Sequence, residues 1–303
     1  MNILVLGAGA IGSLYAAKLS PRHDVTVVAR GSHVDAINRD GLRVVGVEAL
    51  TCRGLRAVTS IDAIPPNSLV LLTTKVNDNR KAIDAIASKL RGDTTILCVQ
   101  NGLGGEDIVR EVVDGRCSER PTVLRAITQF GAIFRAPGII DYKVAGYTLI
   151  ERAPSSAALA DLLTGSGLDG RVSDDIKREV WRKLIFNCVI NPITSITGSD
   201  VGSIADSRLD PLKELVIDEC LAVARADGVA FDLDFVAELA RVFGPSRNIA
   251  SMRQDLLKRK PTEIDHMNGA VVDLGRRLGI PCPVNTALTT IIKALEARGV
   301  GAT

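Results

Sequence analysis

A lysine and two asparagines recur at four-residue spacing in the second half of the chain, at Lys183, Asn187 and Asn191. In a helix this spacing places all three side chains on one face. Nearly all the residues around them are apolar, which predicts a buried helix. Pro192 is predicted to end or bend this helix just past Asn191, because a proline disfavours the helical conformation in the residue before it.

Such a polar face would carry a high cost if it were buried without partners, so it indicates a cleft, a ligand or a polar neighbour. A protonated lysine there can donate its proton to an oxygen that gains negative charge during a reaction. The flanking amides can hold a carboxylate and a hydroxyl without adding charge. Desolvation lowers the pKa of a lysine and makes it a better acid. The alternative is a hydrogen-bonded structural network with another helix, and the sequence leaves it open.

A second polar cluster runs from Asn248 and Ser251 to Glu263. Pro261 suits the first position of a helix, which would place Glu263 in the first turn, where a negative charge is favourable. A helix-start role therefore explains Glu263 without any chemistry. Three charged residues could equally form a series of surface ion pairs of small energetic value: Asp255, Arg259 and Glu263.

Glycines at GxGxxG spacing follow the apolar strand-like segment Ile3–Leu6 and precede a helical pattern. The first glycine allows a tight turn, the second lets a pyrophosphate approach the backbone, and the third lets the helix pack on the sheet. The pyrophosphate would sit at the positive end of the helix dipole. The alternative is an ordinary strand-to-helix turn. The residues predicted to bind the dinucleotide here are Gly7, Ala8, Gly9, Ala10, Ile11 and Gly12.

The end of the second predicted strand indicates which dinucleotide binds. Many NAD-binding proteins have an acidic residue there, whereas this chain has Arg30, whose guanidinium can pair with a 2′-phosphate. This favours NADPH over NADH. Lys75, at the end of another strand, can supply a second positive charge, and Asn101, after the next strand, can offer an amide to the nicotinamide or the substrate. The alternatives are solvated cations and a tight Asn-Gly turn.

These residues are placed by an alternation of apolar strands and helices, which predicts a parallel sheet covered on both faces. The expected fold class is α/β, with a Rossmann-type doubly wound sheet over residues 1–170 and an all-helical domain over 171–303. Residues 131–150 are predicted to form hairpin strands around a turn at 136–138. The predicted strands are Asn2–Leu6, Asp24–Ala29, Ser68–Thr74, Thr94–Gln100 and Thr122–Ile127; the predicted helices include Ile11–Leu19, Arg80–Leu90, Asp174–Asn191, Pro211–Asp227, Leu233–Val242 and Pro261–Leu278.

Composition excludes several classes of protein. The 303 residues carry a net charge of +2 and 3% aromatic residues, which argues against a nucleic-acid partner. The six cysteines are spread singly and only three histidines are present, so no metal site is expected. No apolar run is long enough to span a membrane and no signal peptide is recognisable, so a cytoplasmic protein is expected. The apolar helices leave a homodimer open.

The motifs together resemble one family, the ketopantoate reductases, from Asn2 to about Ala294. The glycine loop, the strand-end Asn101, the helix from Lys183 to Asn191 and the stretch from Asn248 to Asp265 carry the resemblance. It implies an NADPH enzyme that reduces 2-dehydropantoate to pantoate in pantothenate synthesis. It also implies that cofactor and substrate lie between the two domains, so that domain closure would expel water before the reaction.

The resemblance also implies roles for single residues. Lys183 would be the general acid, and Glu263 would fix cofactor or substrate hydroxyls. Arg30 and Lys75 would contact the adenosine-side phosphate, while Asn101 and Ala132 would line the nicotinamide side. The residues implied to hold the carboxylate and hydroxyl of the substrate are Asn187, Asn191, Asn248 and Ser251.

Two positions depart from the family pattern. Val201 stands where many members have a substrate-contacting asparagine, and Asp78 replaces a polar residue near the nucleotide. Val201 leaves open a related reductase acting on another small 2-keto acid or an imine. A third hypothesis is a nucleotide-binding sensor without chemistry, which has no need of the acid Lys183.

Overall fold

The central strands of the sheet are apolar on both sides because both faces are covered. In the computed structural model, which describes the backbone of residues 1–300 and the side chains of residues 1–298, every residue of Leu69–Leu72 is buried. Leu69 and Leu71 pack into one hydrophobic cluster with the first helix, while Val70 and Leu72 pack into a second cluster on the opposite face. Alternate side chains of a strand point to opposite faces, so such a strand must be apolar throughout.

Twelve strands and eleven α-helices are present in the described part of the chain. The strands are β1 (Asn2–Leu6), β2 (Asp24–Val28), β3 (Leu42–Gly46), β4 (Leu50–Cys52), β5 (Arg56–Val58), β6 (Leu69–Leu72), β7 (Thr95–Cys98), β8 (Thr122–Thr128), β9 (Gly131–Ala136), β10 (Ile139–Val144), β11 (Thr148–Glu151) and β12 (Gly170–Ser173). The helices are α1 (Ala10–Leu19), α2 (Gly31–Asp40), α3 (Asn79–Asp84), α4 (Gly105–Arg116), α5 (Ser156–Gly165), α6 (Ile176–Thr197), α7 (Asp210–Ala226), α8 (Phe235–Phe243), α9 (Ser251–Leu257), α10 (Asn268–Leu278) and α11 (Pro283–Val300).

The first unit of the chain comprises residues 1–100 and 105–176. Its main sheet has eight strands in the order β12-β11-β8-β7-β6-β1-β2-β5, parallel except between β8 and β11. The strand order reverses between β1 and β6, the point where doubly wound sheets bind their ligands. The predicted Rossmann-type sheet is therefore confirmed. A second sheet, β4-β3-β10-β9, was not predicted; its strands β9 and β10 are the expected hairpin.

The second unit comprises residues 101–104 and the chain from Lys177 onward, and its secondary structure is helical, as predicted. The division falls later than the predicted boundary after residue 170, because β12 pairs with β11 and so belongs to the first unit. The core of the second unit surrounds α6, with Trp181 and Ile185 fully buried. Within residues 1–300, none of the helices combines the length and apolar character needed to cross a bilayer.

Candidate functional site

The glycine loop connects β1 to α1, and its three glycines differ in how much space surrounds the position of a Cβ atom. Gly7 has φ +100°, and a Cβ there would lie 2.6 Å from the amide nitrogen of Thr74. A Cβ on Gly12 would lie 2.4 Å from Thr73 Oγ1. A Cβ on Gly9, in contrast, would meet no described atom within 4 Å. The first and third glycines allow close packing, and the middle one leaves open space at the start of α1, where a phosphate can approach.

The loop is fixed by hydrogen bonds to the strands on both sides of β1. The Gly7 amide donates to Val28 O at 3.1 Å, at the end of β2. Thr73, directly after β6, donates from Oγ1 to Gly7 O at 2.8 Å. The loop therefore sits at the point where the strand order reverses. Thr73 was missed in the sequence; its only signal is a hydroxyl residue placed directly after a fully buried strand.

The two predicted phosphate-binding cations also follow the carboxyl ends of strands next to β1. Arg30 is exposed and occupies the residue before α2. Lys75 is half-buried and precedes a 3₁₀ turn, Val76–Asp78, which contains the exposed Asp78. Open space at Gly9, a helix amino terminus without a side-chain cap in the described structure, and cations on the flanking strands together suit a dinucleotide with an additional phosphate.

A buried asparagine connects three loops at the same edge of the sheet. Asn79 is fully buried; its Oδ1 accepts from Thr74 Oγ1 at 2.8 Å and from Gln100 Nε2 at 2.7 Å. Its Nδ2 donates to Gly105 O at 3.1 Å, at the start of α4. Arg125 NH2 donates to Gln100 O at 2.9 Å. Gln100, the residue before Asn101, is thus fixed within the first unit by these hydrogen bonds.

Asn101 itself begins the four-residue segment that belongs to the second unit. The next residue, Gly102, has φ +82°, and a Cβ there would lie 2.2 Å from His266 O. The Leu103 amide donates to the same oxygen at 3.1 Å. The half-buried Asn101 therefore follows a strand of the sheet, as predicted, but its segment packs with the helical unit. Ala132 lies on β9 in the four-stranded sheet, half-buried and opposite Tyr142.

The predicted polar face of α6 is present in the structure. Lys183 and Asn187 are half-buried, whereas Leu184 and Val189 are almost completely buried. Asn191, at the third position of the face, is 4% exposed. Between Lys183 and Asn191, the lysine and the first amide are therefore the two residues that are not buried, and their spacing places them on one face of the helix.

Of the two outcomes predicted for Pro192, an end or a bend of the helix, the end at Asn191 is wrong, because α6 continues through Pro192 to Thr197. A proline has no N–H, so the carbonyl of Cys188, four residues earlier, loses its helical donor. Asn268, at the start of α10, donates from Nδ2 to that carbonyl at 2.9 Å. A side chain distant in sequence thus supplies the missing hydrogen bond, and the helix does not need to stop.

The structure joins the first polar cluster to part of the second. Asn191 Oδ1 accepts from Ser251 Oγ at 3.3 Å and from the Met252 amide at 3.4 Å. Its Nδ2 contacts Met267 Sδ at 3.7 Å, which leaves one N–H for other partners. Asn191 and Ser251 are therefore neighbours at the start of α9.

The main chain of Asn248 is hydrogen-bonded to Val201, one of the two positions that depart from the family pattern. Its carbonyl accepts from the Val201 amide at 2.8 Å, and its own amide donates to Ser246 Oγ at 3.3 Å. The Val201 side chain is 8% exposed and lies in the hydrophobic core of the second unit. Position 201 thus contributes an apolar surface and a backbone hydrogen bond.

The predicted helix start at Pro261 is also wrong. Glu263 is half-buried and precedes a short 3₁₀ turn, Ile264–His266, while α10 begins only at Asn268. Glu296 Oε1 accepts from the Thr262 amide at 2.7 Å and from Thr262 Oγ1 at 2.5 Å, which holds this segment outside a helix. A favourable helix-start position therefore does not explain Glu263.

Comparison with known proteins gives the same family along the whole chain. The family model for ketopantoate reductase PanE/ApbA matches residues 3–155, and the model for its C-terminal region matches residues 175–296. A 2-dehydropantoate 2-reductase of Pyrococcus horikoshii is 34% identical over 309 aligned residues, covering 99% of each chain.

Solved structures agree in fold. The PanE/ApbA family ketopantoate reductase from Ralstonia eutropha JMP134 superposes with a TM-score of 0.88 at 30% identity, covering 99% of this chain and 100% of the other. D-mandelate dehydrogenase in a ternary structure with NADH and anilino(oxo)acetate superposes with a TM-score of 0.89 at 27% identity, over the same shares. With the glycine loop and the α6 face in place, these matches establish that the chain belongs to the ketopantoate reductase family.

Proposed function

We propose that this chain is an NADPH-dependent 2-dehydropantoate 2-reductase that produces pantoate. The observation that carries the proposal is the polar face of α6, in a chain of this family: Lys183 and Asn187 are only half-buried, while the residues between them are buried and apolar. Relatives named 2-dehydropantoate 2-reductase support the same oxidoreductase activity. The substrate is a small keto acid; pantothenate synthesis in the cytoplasm is the setting we infer.

The first unit would hold the dinucleotide. The loop from Gly7 to Gly12 and the amino terminus of α1 would take the pyrophosphate. Arg30 and Lys75 would pair with the adenosine-side phosphate, and Asn101 and Ala132 would line the nicotinamide. When bound, NADPH supplies the hydride that reduces the keto carbon.

The second unit would hold the keto acid and provide the proton. Lys183 in its protonated form would donate to the ketone oxygen as that oxygen becomes an alkoxide, so the product leaves as a neutral alcohol. The substrate carboxylate and hydroxyl would be held by amide and hydroxyl groups from α6 and the start of α9, with Glu263 fixing a further hydroxyl. The residues proposed for this holding role are Asn187, Asn191, Asn248 and Ser251.

The decisive experiment measures NADPH oxidation with 2-dehydropantoate for the wild type and for Lys183→Ala. General acid catalysis typically contributes about 100- to 10,000-fold, so kcat should fall within that range. Lys177→Ala, on the same helix, is a matched control, since Lys177 pairs with Asp227 and should leave kcat unchanged. Comparable turnover in Lys183→Ala would refute the acid role. NADPH binding without turnover in the wild type would instead support a non-catalytic sensor.

A second candidate function, reduction of a 2-keto acid with an apolar substituent, has a specific motivation. Val201 presents an apolar, buried side chain near Asn248. D-mandelate dehydrogenase, whose 2-hydroxy acid bears a phenyl group, is among the similar structures. A panel of 2-keto acids that includes 2-dehydropantoate and benzoylformate, ranked by kcat/KM, separates the two. A higher kcat/KM for benzoylformate would favour the second candidate.

A further inference from the structure

His33 is a buried titratable residue that the proposed reaction does not use. It is 3% exposed and lies in the first turn of α2, with its ring 4.9 Å from that of Phe134. Both ring nitrogens have protein partners. Nε2 lies 3.0 Å from Ser13 Oγ on α1, and Nδ1 accepts from the Gly138 amide at 2.9 Å, in the turn between β9 and β10.

These contacts fix the tautomer of the ring. The Gly138 amide can only donate, so Nδ1 carries no proton, and a neutral ring then has its hydrogen on Nε2. Nε2–H donates to Ser13 Oγ, which leaves the Ser13 hydroxyl hydrogen for Ala8 O, 3.4 Å away. The three hydrogen bonds therefore run in one direction, from the hairpin turn through His33 and Ser13 to the glycine loop.

The same residue is also joined to the second part of the proposed nucleotide site. Arg30 O accepts from the His33 amide at 3.0 Å and from the Val34 amide at 3.1 Å. Thus the main chain of His33 fixes the turn that carries Arg30, and its side chain reaches the glycine loop through Ser13, whose hydroxyl donates to Ala8 O. We propose that His33 is a positioning residue for the nucleotide, which sets the 2′-phosphate-binding end of α2 at the correct distance from the pyrophosphate loop.

This inference rests on the proposed function, because it requires the dinucleotide to bind the loop and Arg30. The imidazole makes both side-chain bonds at once, and two substitutions can separate them. Asparagine can place its Oδ1 near the position of Nδ1 and keep the Gly138 bond, but it does not reach Ser13. Glutamine can place its Nε2 near the position of the histidine Nε2 and keep the Ser13 bond, but it offers no acceptor to Gly138.

The test measures equilibrium dissociation constants for NADPH and NADH by calorimetry, without turnover, in the wild type and in His33→Gln, His33→Asn and Ser13→Ala. Loss of one hydrogen bond that positions the loop should weaken NADPH binding roughly fivefold to tenfold in His33→Asn and Ser13→Ala. His33→Gln should stay within about threefold of the wild type, by the same reasoning. NADH, which has no 2′-phosphate, should lose less affinity than NADPH.

Thermal unfolding of each variant separates positioning from general destabilisation. A purely structural histidine would weaken NADPH and NADH equally in both His33 variants, in proportion to the loss in melting temperature, and that result would overturn the proposal. Unchanged NADPH binding in His33→Asn and Ser13→Ala would also overturn it. If His33→Asn does not fold, Ser13→Ala carries the test. Failure of the wild type to bind NADPH would contradict the proposed function rather than the role of His33.

Discussion

At the scale of single residues, the proposed site contains two kinds of group. Some would contact the ligands directly, and others position the loops that carry the first kind. Lys183 and Arg30 belong to the first kind, and both are accessible in the structure. Thr73 and Asn79 belong to the second, because their hydrogen bonds fix the loops at the edge of the sheet. Only residues of the first kind were recognisable in the sequence, since charge and spacing identify them, whereas a holding residue is identified by its partners.

Arg30 gives a prediction about cofactor choice. Hydrogen bonds to charged groups contribute about 1.5–3 kcal/mol, so Arg30→Ala should weaken NADPH binding about 10- to 100-fold more than NADH binding. Dissociation constants for both nucleotides check this. Arg39→Ala is a suitable control, because Arg39 lies in the last turn of the same helix and pairs with Asp40. Equal losses for both nucleotides in Arg30→Ala would exclude the 2′-phosphate role.

At the scale of elements, the most instructive case is α6, where a proline lies inside a helix of 22 residues. The polar face extends to Asn191, one residue before that proline, and the helix continues to Thr197. Without the Asn268 side chain, the carbonyl of Cys188 would be buried without a donor. The geometry of the α6 face therefore depends on an interaction between α6 and α10.

This dependence predicts energetic coupling between Pro192 and Asn268. Asn268→Ala should reduce the free energy of unfolding by about 1–3 kcal/mol, because a buried acceptor loses its partner. In a Pro192→Ala background the new amide can donate to Cys188 O, so the same change should cost less. Urea denaturation followed by fluorescence of the single tryptophan, Trp181, measures both values. Additive losses in the double variant would contradict the compensation.

At the scale of the whole molecule, the histidines set the pH at which the protein begins to lose stability on acidification. Burial lowers the pKa of His33, and desolvation likewise lowers the pKa of His23 and His266. The unfolded chain therefore binds more protons than the folded chain below about pH 6.5, the ordinary histidine value. The stability due to the neutral rings is complete above that pH and is lost as pH falls toward the folded-state pKa values.

Melting temperature measured against pH checks this expectation. The wild type should lose stability between about pH 6.5 and 5, where unperturbed histidines titrate. His33→Gln should be less stable at pH 8 but show a shallower decline, since one of the three shifted groups is gone. Parallel pH profiles for the two proteins would show that His33 is not a contributor.

A second loss is expected at lower pH from carboxylates. Hydrogen bonds from Lys143 and Arg135 lower the pKa of Asp141, and hydrogen bonds from Arg208 lower the pKa of Asp206 to about 2. Lowered carboxylate pKa values provide stability above about pH 4, and it is lost as pH falls through the folded values. The melting temperature should therefore decline in two separate steps, and Asp141→Asn should reduce the second.

The sequence alone determined the elements whose signals are local. Un-alternating apolar runs indicated the parallel strands, the glycine spacing indicated the turn into α1, and the spacing of Lys183, Asn187 and Asn191 indicated one helical face. The family followed from the same residues, and the matches to known proteins confirm it. The homodimer and the cytoplasmic location stay predictions.

Tertiary structure decided what depends on residues far apart in the chain. Asn268 donates to a carbonyl 80 residues earlier in the chain, and Glu296 accepts hydrogen bonds from the segment next to Glu263, which is not helical. The backbone of His266 packs closely against Gly102, so that Gly102 belongs to the helical unit. Local propensity cannot reveal these outcomes, because each is fixed by a hydrogen bond or close packing whose partner is known only once the chain has folded. His33 illustrates the same limit, since its importance comes entirely from its contacts with Ser13 and Gly138.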